Sequence, residues 1–211
     1  MTVEGGVDMA NIEVGLTQFT DFTFKGVTGK TSMVRQIKYQ NDYHPSFDYW
    51  KPLRDGIRKF HEKGYENDYL LKLVRNAPIA KQKNYQAAVN SYLKFIKNKQ
   101  IQWFEPGKSK WYSDYLTVRS SPELGLIINE TPYLIKLYFK GKDERIDKNK
   151  CRSSLTLLHQ SSYSVEHSLD VKPAILNVLK GNLISDNPAT DDHLIALESE
   201  AAQFSIIWNK I

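Results

Sequence analysis

Residues Gly26-Val-Thr-Gly-Lys-Thr31 combine glycine, lysine and threonine, the residue types that hold nucleotide phosphates in a phosphate-binding loop. In the full loop, GxxxxGK(S/T), the first glycine lets the backbone approach the phosphates closely. That position is Phe24 in this chain, and its side chain blocks such an approach. The sequence predicts no buried strand before the loop. The pattern therefore favours a helix junction, and we expect neither a nucleotide site nor a cofactor.

Basic residues form three short groups that have the chemistry to contact the phosphates of a nucleic acid. The candidate contacts are Lys30, Arg35, Lys38, Lys51, Arg54, Arg58, Lys59, Lys136 and Lys140. Four of them share a predicted helix whose apolar stripe is Trp50, Leu53, Ile57 and Phe60. A basic helix face is also typical of a solvated surface, so the pattern leaves both interpretations open.

Cysteine and histidine chemistry has little support in this sequence. The single cysteine, Cys151, excludes an internal disulfide framework and a cysteine-rich zinc site. Its basic neighbours Lys150 and Arg152 would favour a thiolate, but no histidine is spaced to act as its base. The five histidines form no HxxxH or HExxH pair. We therefore expect no metal site of the metalloprotease or zinc-finger type.

The totals are those of an ordinary globular protein. The chain has 211 residues, of which 41% are hydrophobic and 25% charged, and its net charge is +5. A positive net charge makes a polyanionic partner reasonable without requiring one. No run approaches the roughly 18 apolar residues of a membrane span, and the N-terminus does not have the pattern of a signal peptide. The sequence predicts a cytoplasmic protein with no membrane partner.

The chain changes character near residue 100. Residues 1–100 are predicted to be mainly helical, and residues 101–211 to be centred on a sheet. No glycine- and serine-rich linker separates the two regions, so we expect one compact unit. The predicted helices of the first region lie within residues 12–40, 46–64, 67–76 and 80–99.

The sheet is predicted from three runs in which apolar and polar residues alternate, Tyr115–Arg119, Leu124–Ile128 and Tyr133–Lys140. Turn residues in Asn129–Pro132 make the last two runs a hairpin. A helix over 143–160, a fourth strand from Pro173 to Leu179 and a C-terminal helix that docks on the sheet follow. The predicted fold class is α+β, with a helical N-terminal half on a small, mostly antiparallel sheet (β-β-β-α-β) and a closing helix.

The order helix, three antiparallel strands, helix, strand over about residues 80–185 resembles the core of the PD-(D/E)xK nuclease superfamily. In that family a carboxylate on the second strand and a (D/E)xK triplet on the third hold Mg²⁺ and position the attacking water. The resemblance implies that Pro122-Glu123 stands for the PD element and Lys136 or Lys140 for the lysine. The residues two before these lysines are Leu134 and Tyr138, which are not acids. Because Mg²⁺ needs one or two carboxylates in a near-octahedral site, we expect a degenerate centre.

Three functional hypotheses follow from these patterns. The first is a non-catalytic protein that associates with DNA or RNA, a decayed nuclease-like module. The second is a protein-interaction subunit of a larger bacterial-type assembly that uses aromatic surface as its contact. The third is a metal-dependent nuclease with Glu123, Lys136 and Lys140 as its catalytic residues. Whether the basic groups converge on one face is the observation that best separates the first hypothesis from the second.

Overall fold

The computed structural model describes residues 12–40, 48–139, 146–167, 170–186 and 189–211. Lys140 and the predicted helix start near Ser46 lie outside these ranges. Within them the helices are α1 (Leu16–Thr23), α2 (Val27–Lys38), α3 (Lys51–Glu62), α4 (Asn67–Arg75), α5 (Ile79–Ile96), α6 (Lys148–Gln160) and α7 (Asp191–Lys210). The strands are β1 (Glu13–Gly15), β2 (Ile101–Phe104), β3 (Ser109–Tyr112), β4 (Thr117–Arg119), β5 (Leu124–Ile128), β6 (Thr131–Tyr138), β7 (Ser162–Tyr163), β8 (Lys172–Asn177) and β9 (Asn182–Ser185). The α+β fold predicted from the sequence is confirmed.

The larger sheet has five strands in the order β2-β5-β6-β8-β9. Strands β2, β5 and β6 are mutually antiparallel, β8 runs parallel to β6, and β9 is antiparallel to β8. The parallel pair requires a crossover, which α6 supplies. The first hydrophobic core lies between this sheet and helices α3 to α5. It includes Leu53, Tyr85, Tyr92, Leu126 and Leu176, all fully or almost fully buried.

The smaller sheet has four short strands in the order β1-β4-β3-β7, with β1 parallel to β4 and the other pairs antiparallel. Its apolar face packs on α1, α2, α6 and α7. Phe19, Phe22, Trp111, Val118 and Phe204 are buried together in this second core. Its other face carries exposed and half-buried polar residues.

The hairpin predicted from Asn129–Pro132 is confirmed, because β5 and β6 pair through a turn in which Asn129 and Glu130 have positive φ angles of 45° and 69°. Positive φ at both central residues matches the right-handed twist of the flanking strands. The placement of Tyr115–Arg119 in the same sheet is wrong. The strand within this run, β4, belongs to the smaller sheet. The two antiparallel neighbours of β5 are β6 and β2 (Ile101–Phe104), a strand that the sequence patterns did not predict.

The predicted closing helix is present as α7, and Leu197, Ala201 and Phe204 are buried along its apolar side. The expectation that it docks on the sheet is wrong, since it packs mainly on α6 and α2.

The two regions that the sequence divides near residue 100 contribute residues to both cores. Strand β1 pairs with β4, and the first core joins helices α3 to α5 to strands β5, β6 and β8.

No helix among the described residues is long and apolar enough to cross a membrane.

The register of β2 and β5 depends on Gly125. A Cβ atom at this position would lie 2.4 Å from the Phe104 carbonyl oxygen and 2.8 Å from the Phe104 ring. Because the obstacle includes backbone of the neighbouring strand, we expect Gly125→Ala to lower the free energy of unfolding by about 2 kcal/mol, as measured by urea denaturation. The control is Gly26→Ala, where nothing lies within 4 Å and the φ angle of −68° suits alanine. Equal stability of the two variants would contradict the register.

Candidate functional site

Glu123 and Lys136, the two residues that the nuclease resemblance groups together, are in direct contact. The Glu123 N–H donates to the Ile135 carbonyl, which extends the β5–β6 ladder and sets Glu123 opposite Lys136. Lys136 Nζ donates to Glu123 Oε1 at 2.5 Å, and the Leu137 N–H donates to Oε2 at 2.8 Å. Both carboxylate oxygens therefore already accept hydrogen bonds from the protein.

Arg54 and Asp48 complete the arrangement from the start of α3. Arg54 Nε lies 3.6 Å from Glu123 Oε1, and its Nη2 donates to Asp48 Oδ2 at 2.7 Å. Asp48 Oδ1 also accepts from the N–H groups of Trp50 and Lys51, which lie at the N-terminus of α3. These four side chains, which we call the ionic cluster (Asp48, Arg54, Glu123 and Lys136), are only 13–21% exposed. Their two positive and two negative charges balance.

The pKa values of Asp48 and Arg54, at the α3 end of the cluster, shift in the directions that favour their charged forms. Burial alone would raise the pKa of Asp48, but hydrogen bonds from Arg54, Trp50 and Lys51 outweigh it and lower the pKa. Burial alone would lower the pKa of Arg54, but the hydrogen bond to Asp48 and the Glu123 charge raise it. Mutual pairing of buried charges accounts for both shifts.

The cluster does not fit Mg²⁺. Leu134 occupies the position of the triplet's acid, and its side chain is 2% exposed. It lines an open hollow of about 340 Å³ together with apolar residues and with His159, His167 and Asp170. These histidines and Asp170 do not form a metal site, because no group of three or more His, Cys, Asp or Glu side chains in the described ranges is arranged to hold a metal ion. A cation near Glu123 would have to displace Lys136 and Arg54, the charges that already neutralise this carboxylate.

Of the phosphate contacts predicted on α2, two bind α7. Lys30 is 8% exposed, forms an ion pair with Glu200 and donates to Gln203 Oε1 at 2.8 Å. Lys38 donates to the carbonyl oxygens of Trp208 and Ile211, which satisfies the C-terminal end of α7. Only the third, Arg35, is exposed without an ion pair to a described residue. The phosphate-loop pattern around Lys30 is thus a helix junction, as predicted.

The predicted contacts on α3 are also mostly paired. Lys51 pairs with Asp55 one turn away, and Arg58 pairs with Glu105 while lying over the Trp103 ring. Arg54 belongs to the ionic cluster. Lys59 is exposed and forms no ion pair with a described residue. Helix α2 packs in the second core and helix α3 in the first, whereas Arg54 of α3 and Lys136 of β6 meet at Glu123.

The sequence patterns missed two features. One is the role of Asp48 and Arg54 in the ionic cluster, for which the helix period offers no signal. The other is a group of cations on the smaller sheet, Lys108, Lys110 and Arg119, which line a hollow of about 400 Å³. The available signal for this second feature was the alternation of buried and exposed residues along β3 and β4, which places Lys110 and Arg119 on the exposed face.

Cys151 is not a reactive thiol. It is fully buried, and burial raises its pKa to about 12, with a smaller contribution from the charge of Asp147. The basic neighbours in the sequence do not overcome this desolvation.

Comparison of the sequence with models of known protein families gives no match, and comparison with curated proteins gives none either.

Proposed function

We propose that the chain is a non-catalytic, nucleic-acid-associated protein built on a nuclease-like core. The observation that carries the non-catalytic part of the proposal is the ionic cluster. In it Glu123, just before β5, pairs with Lys136 on β6, Arg54 lies beside the same carboxylate, and Leu134 stands at the position of the triplet's acid. A carboxylate that Lys136 and Arg54 already neutralise is a poor ligand for Mg²⁺, which needs carboxylates free to coordinate it.

The arrangement of elements supports a nuclease-like core. Helix α5 is followed by the antiparallel strands β2, β5 and β6, then by α6 and the parallel strand β8. Glu123 precedes the second of these three strands and Lys136 lies on the third. The segment between β2 and β5 is longer than a turn because it contributes β3 and β4 to the smaller sheet.

The charge distribution supports a polyanionic partner. The chain has a net charge of +5, and several acidic residues, among them Glu13, Asp48, Glu105 and Glu200, form ion pairs with lysine or arginine. Exposed cations without a carboxylate partner among the described residues include Arg35, Lys59, Lys83, Lys94, Lys97 and Lys108. Each cation that neutralises a phosphate releases counterions, which favours binding at low salt.

The proposal predicts that purified protein leaves single- and double-stranded DNA and RNA intact in the presence of Mg²⁺ or Mn²⁺. End-labelled substrates resolved on a denaturing gel provide the measurement. Glu123→Ala serves as the matched control, because a contaminating nuclease would cut equally with both proteins. Metal-dependent cleavage by wild type that this variant lacks would show that the activity belongs to this protein and would overturn the non-catalytic assignment.

A protein-interaction subunit is the second candidate function. Helix α7 exposes Ile195 and Ile206, which are 64% and 56% exposed and lie three turns apart on the same side. Tyr39 is also 65% exposed, near the C-terminal end of α2. Failure of the protein to bind any nucleic acid at low salt would favour this candidate.

A further inference from the structure

We propose that the exposed face of the smaller sheet binds single-stranded nucleic acid, with Tyr112 stacking on a base and Lys108, Lys110 and Arg119 contacting phosphates. This inference rests on the proposed function and names the surface and the form of nucleic acid. We call the surface the β3–β4 face, defined by Lys108, Lys110, Tyr112, Arg119, Ser162 and Ser164.

The strand register places these side chains together. Lys110 stands opposite Arg119 on β4 and opposite Ser162 on β7, while Tyr112 stands opposite Thr117. Side chains two residues apart on a strand point to the same side, so Lys110 and Tyr112 share the face. The alternate residues Trp111 and Val118 are 4% and 0% exposed and anchor the opposite side in the second core.

Tyr112 presents a largely exposed aromatic ring on this face. Its side chain is 62% exposed, although tyrosine on a sheet normally packs much of its ring. Polar residues alone are ordinary on the solvent side of a sheet. An exposed ring beside several cations is the arrangement with which proteins bind single strands, because every base has a face that can stack.

The charge of the face is complementary to a phosphate backbone. Lys110 Nζ lies 2.8 Å and Arg119 Nε 3.5 Å from the carboxylate of Glu13, so one acid serves two cations. Lys108 is exposed and has no ion pair with a described residue. Three positive charges against one leave an excess of two. Asp114, in the turn after β3, lies toward α7, where burial and the Asp114 charge raise the pKa of Glu198.

Hydroxyl groups line the same hollow. Ser162 is exposed beside Lys110, and Ser164 Oγ accepts from the Lys108 N–H at 2.9 Å, which fixes the loop that carries Lys108. Serine hydroxyls and backbone groups commonly complete phosphate contacts made by lysine and arginine. The face also lies near the ionic cluster. Arg119 and Glu123 are four residues apart, so their Cα atoms are separated by at most about 14 Å.

The test is a fluorescence-anisotropy titration with a labelled oligothymidylate of about 20 nucleotides and with a duplex of equal length, at several salt concentrations. We expect Tyr112→Ala to weaken single-strand binding about tenfold. The triple variant Lys108→Gln, Lys110→Gln and Arg119→Gln should flatten the log–log salt slope by about 2, since each contact on a single strand contributes about 0.7.

Matched controls remove the same charge and a similar ring elsewhere. Lys83→Gln, Lys94→Gln and Lys97→Gln remove three exposed charges from α5 and the residue that follows it, and Tyr39→Ala removes an exposed ring near α2. If wild type binds no oligonucleotide, both the proposed function and this inference fail. If wild type binds but the β3–β4 variants match their controls, the inference alone fails. Preference for the duplex, unaffected by Tyr112→Ala, would also overturn the single-strand assignment.

Discussion

Replacing Glu123 with alanine is expected to lower the free energy of unfolding by about 3 kcal/mol. The substitution leaves Arg54 and Lys136, two largely buried cations, with Asp48 as their remaining carboxylate partner, and it removes the acceptor of the Leu137 N–H. Breaking a buried ion pair by removing one member costs about 3–5 kcal/mol, because the other charge stays desolvated. Urea denaturation followed by circular dichroism provides the measurement.

A double-mutant cycle separates the ion pair from general loss of packing. Lys136→Met alone should also destabilise, but the double variant should be more stable than the sum of the single effects predicts, by at least about 1 kcal/mol. Asp68→Ala is the control, because Asp68 pairs with Lys72 and Arg75 on the exposed side of α4. It should leave the unfolding midpoint close to that of wild type. Additive effects of the Glu123 and Lys136 substitutions would contradict the coupled cluster.

Acid is expected to destabilise the fold through His61. Its Nε2 lies 2.5 Å from the Tyr92 hydroxyl oxygen in the first core, and burial lowers the pKa of His61 from 6.5 to about 4. Below pH 6.5 the unfolded chain takes up a proton that the folded protein does not, so stability falls as the pH falls toward 4. One pKa unit corresponds to about 1.36 kcal/mol, so the loss from this group is about 2 kcal/mol by pH 5 and about 3 kcal/mol by pH 4.

The comparison that isolates His61 is with His61→Gln, which keeps a hydrogen-bonding group but does not titrate. Carboxylates contribute to the acid sensitivity of both proteins, so only the difference between the two stability profiles reports on the histidine. We expect wild type to lose more free energy of unfolding than the variant between pH 7 and pH 5. Parallel profiles would show that the imidazole is not desolvated in the folded protein.

The elements with strong local signals are the ones that sequence patterns predict well. The β5–β6 hairpin follows from alternation and from the turn residues after Ile128, and the α7 stripe follows from the helix period. The sequence patterns do not predict which elements pair or pack with each other. Nothing local in Thr117–Arg119 distinguishes pairing with β5 from pairing with β3 and β1, because both choices bury Val118. In the structure β4 pairs with β3, whose Trp111 packs on Phe19 in the second core, a contact between residues far apart in the sequence.

The candidate site was predictable only in part, for a similar reason. The resemblance groups Glu123 with Lys136, and Leu134 signals the missing acid, but the ion pairs that close the cluster come from α3, about 70 residues earlier in the chain. The helix period places Arg54 off the apolar stripe, which suggests exposure, whereas its side chain is 21% exposed. Arg54→Glu would therefore bring three carboxylates together, and we expect it to destabilise the fold as well as to remove a positive charge.

We propose that the protein binds single-stranded nucleic acid without cutting it. The most direct test measures binding of an oligonucleotide and then the length of that oligonucleotide in the same sample. Labelled oligothymidylate is titrated with wild type at low salt in the presence of Mn²⁺, its anisotropy is recorded, and the same samples are then resolved on a denaturing gel. The account predicts a rise in anisotropy that salt reverses, weakened by Tyr112→Ala, with the oligonucleotide recovered at full length. An unchanged anisotropy, or recovery of shortened fragments with wild type but not with Glu123→Ala, would contradict it.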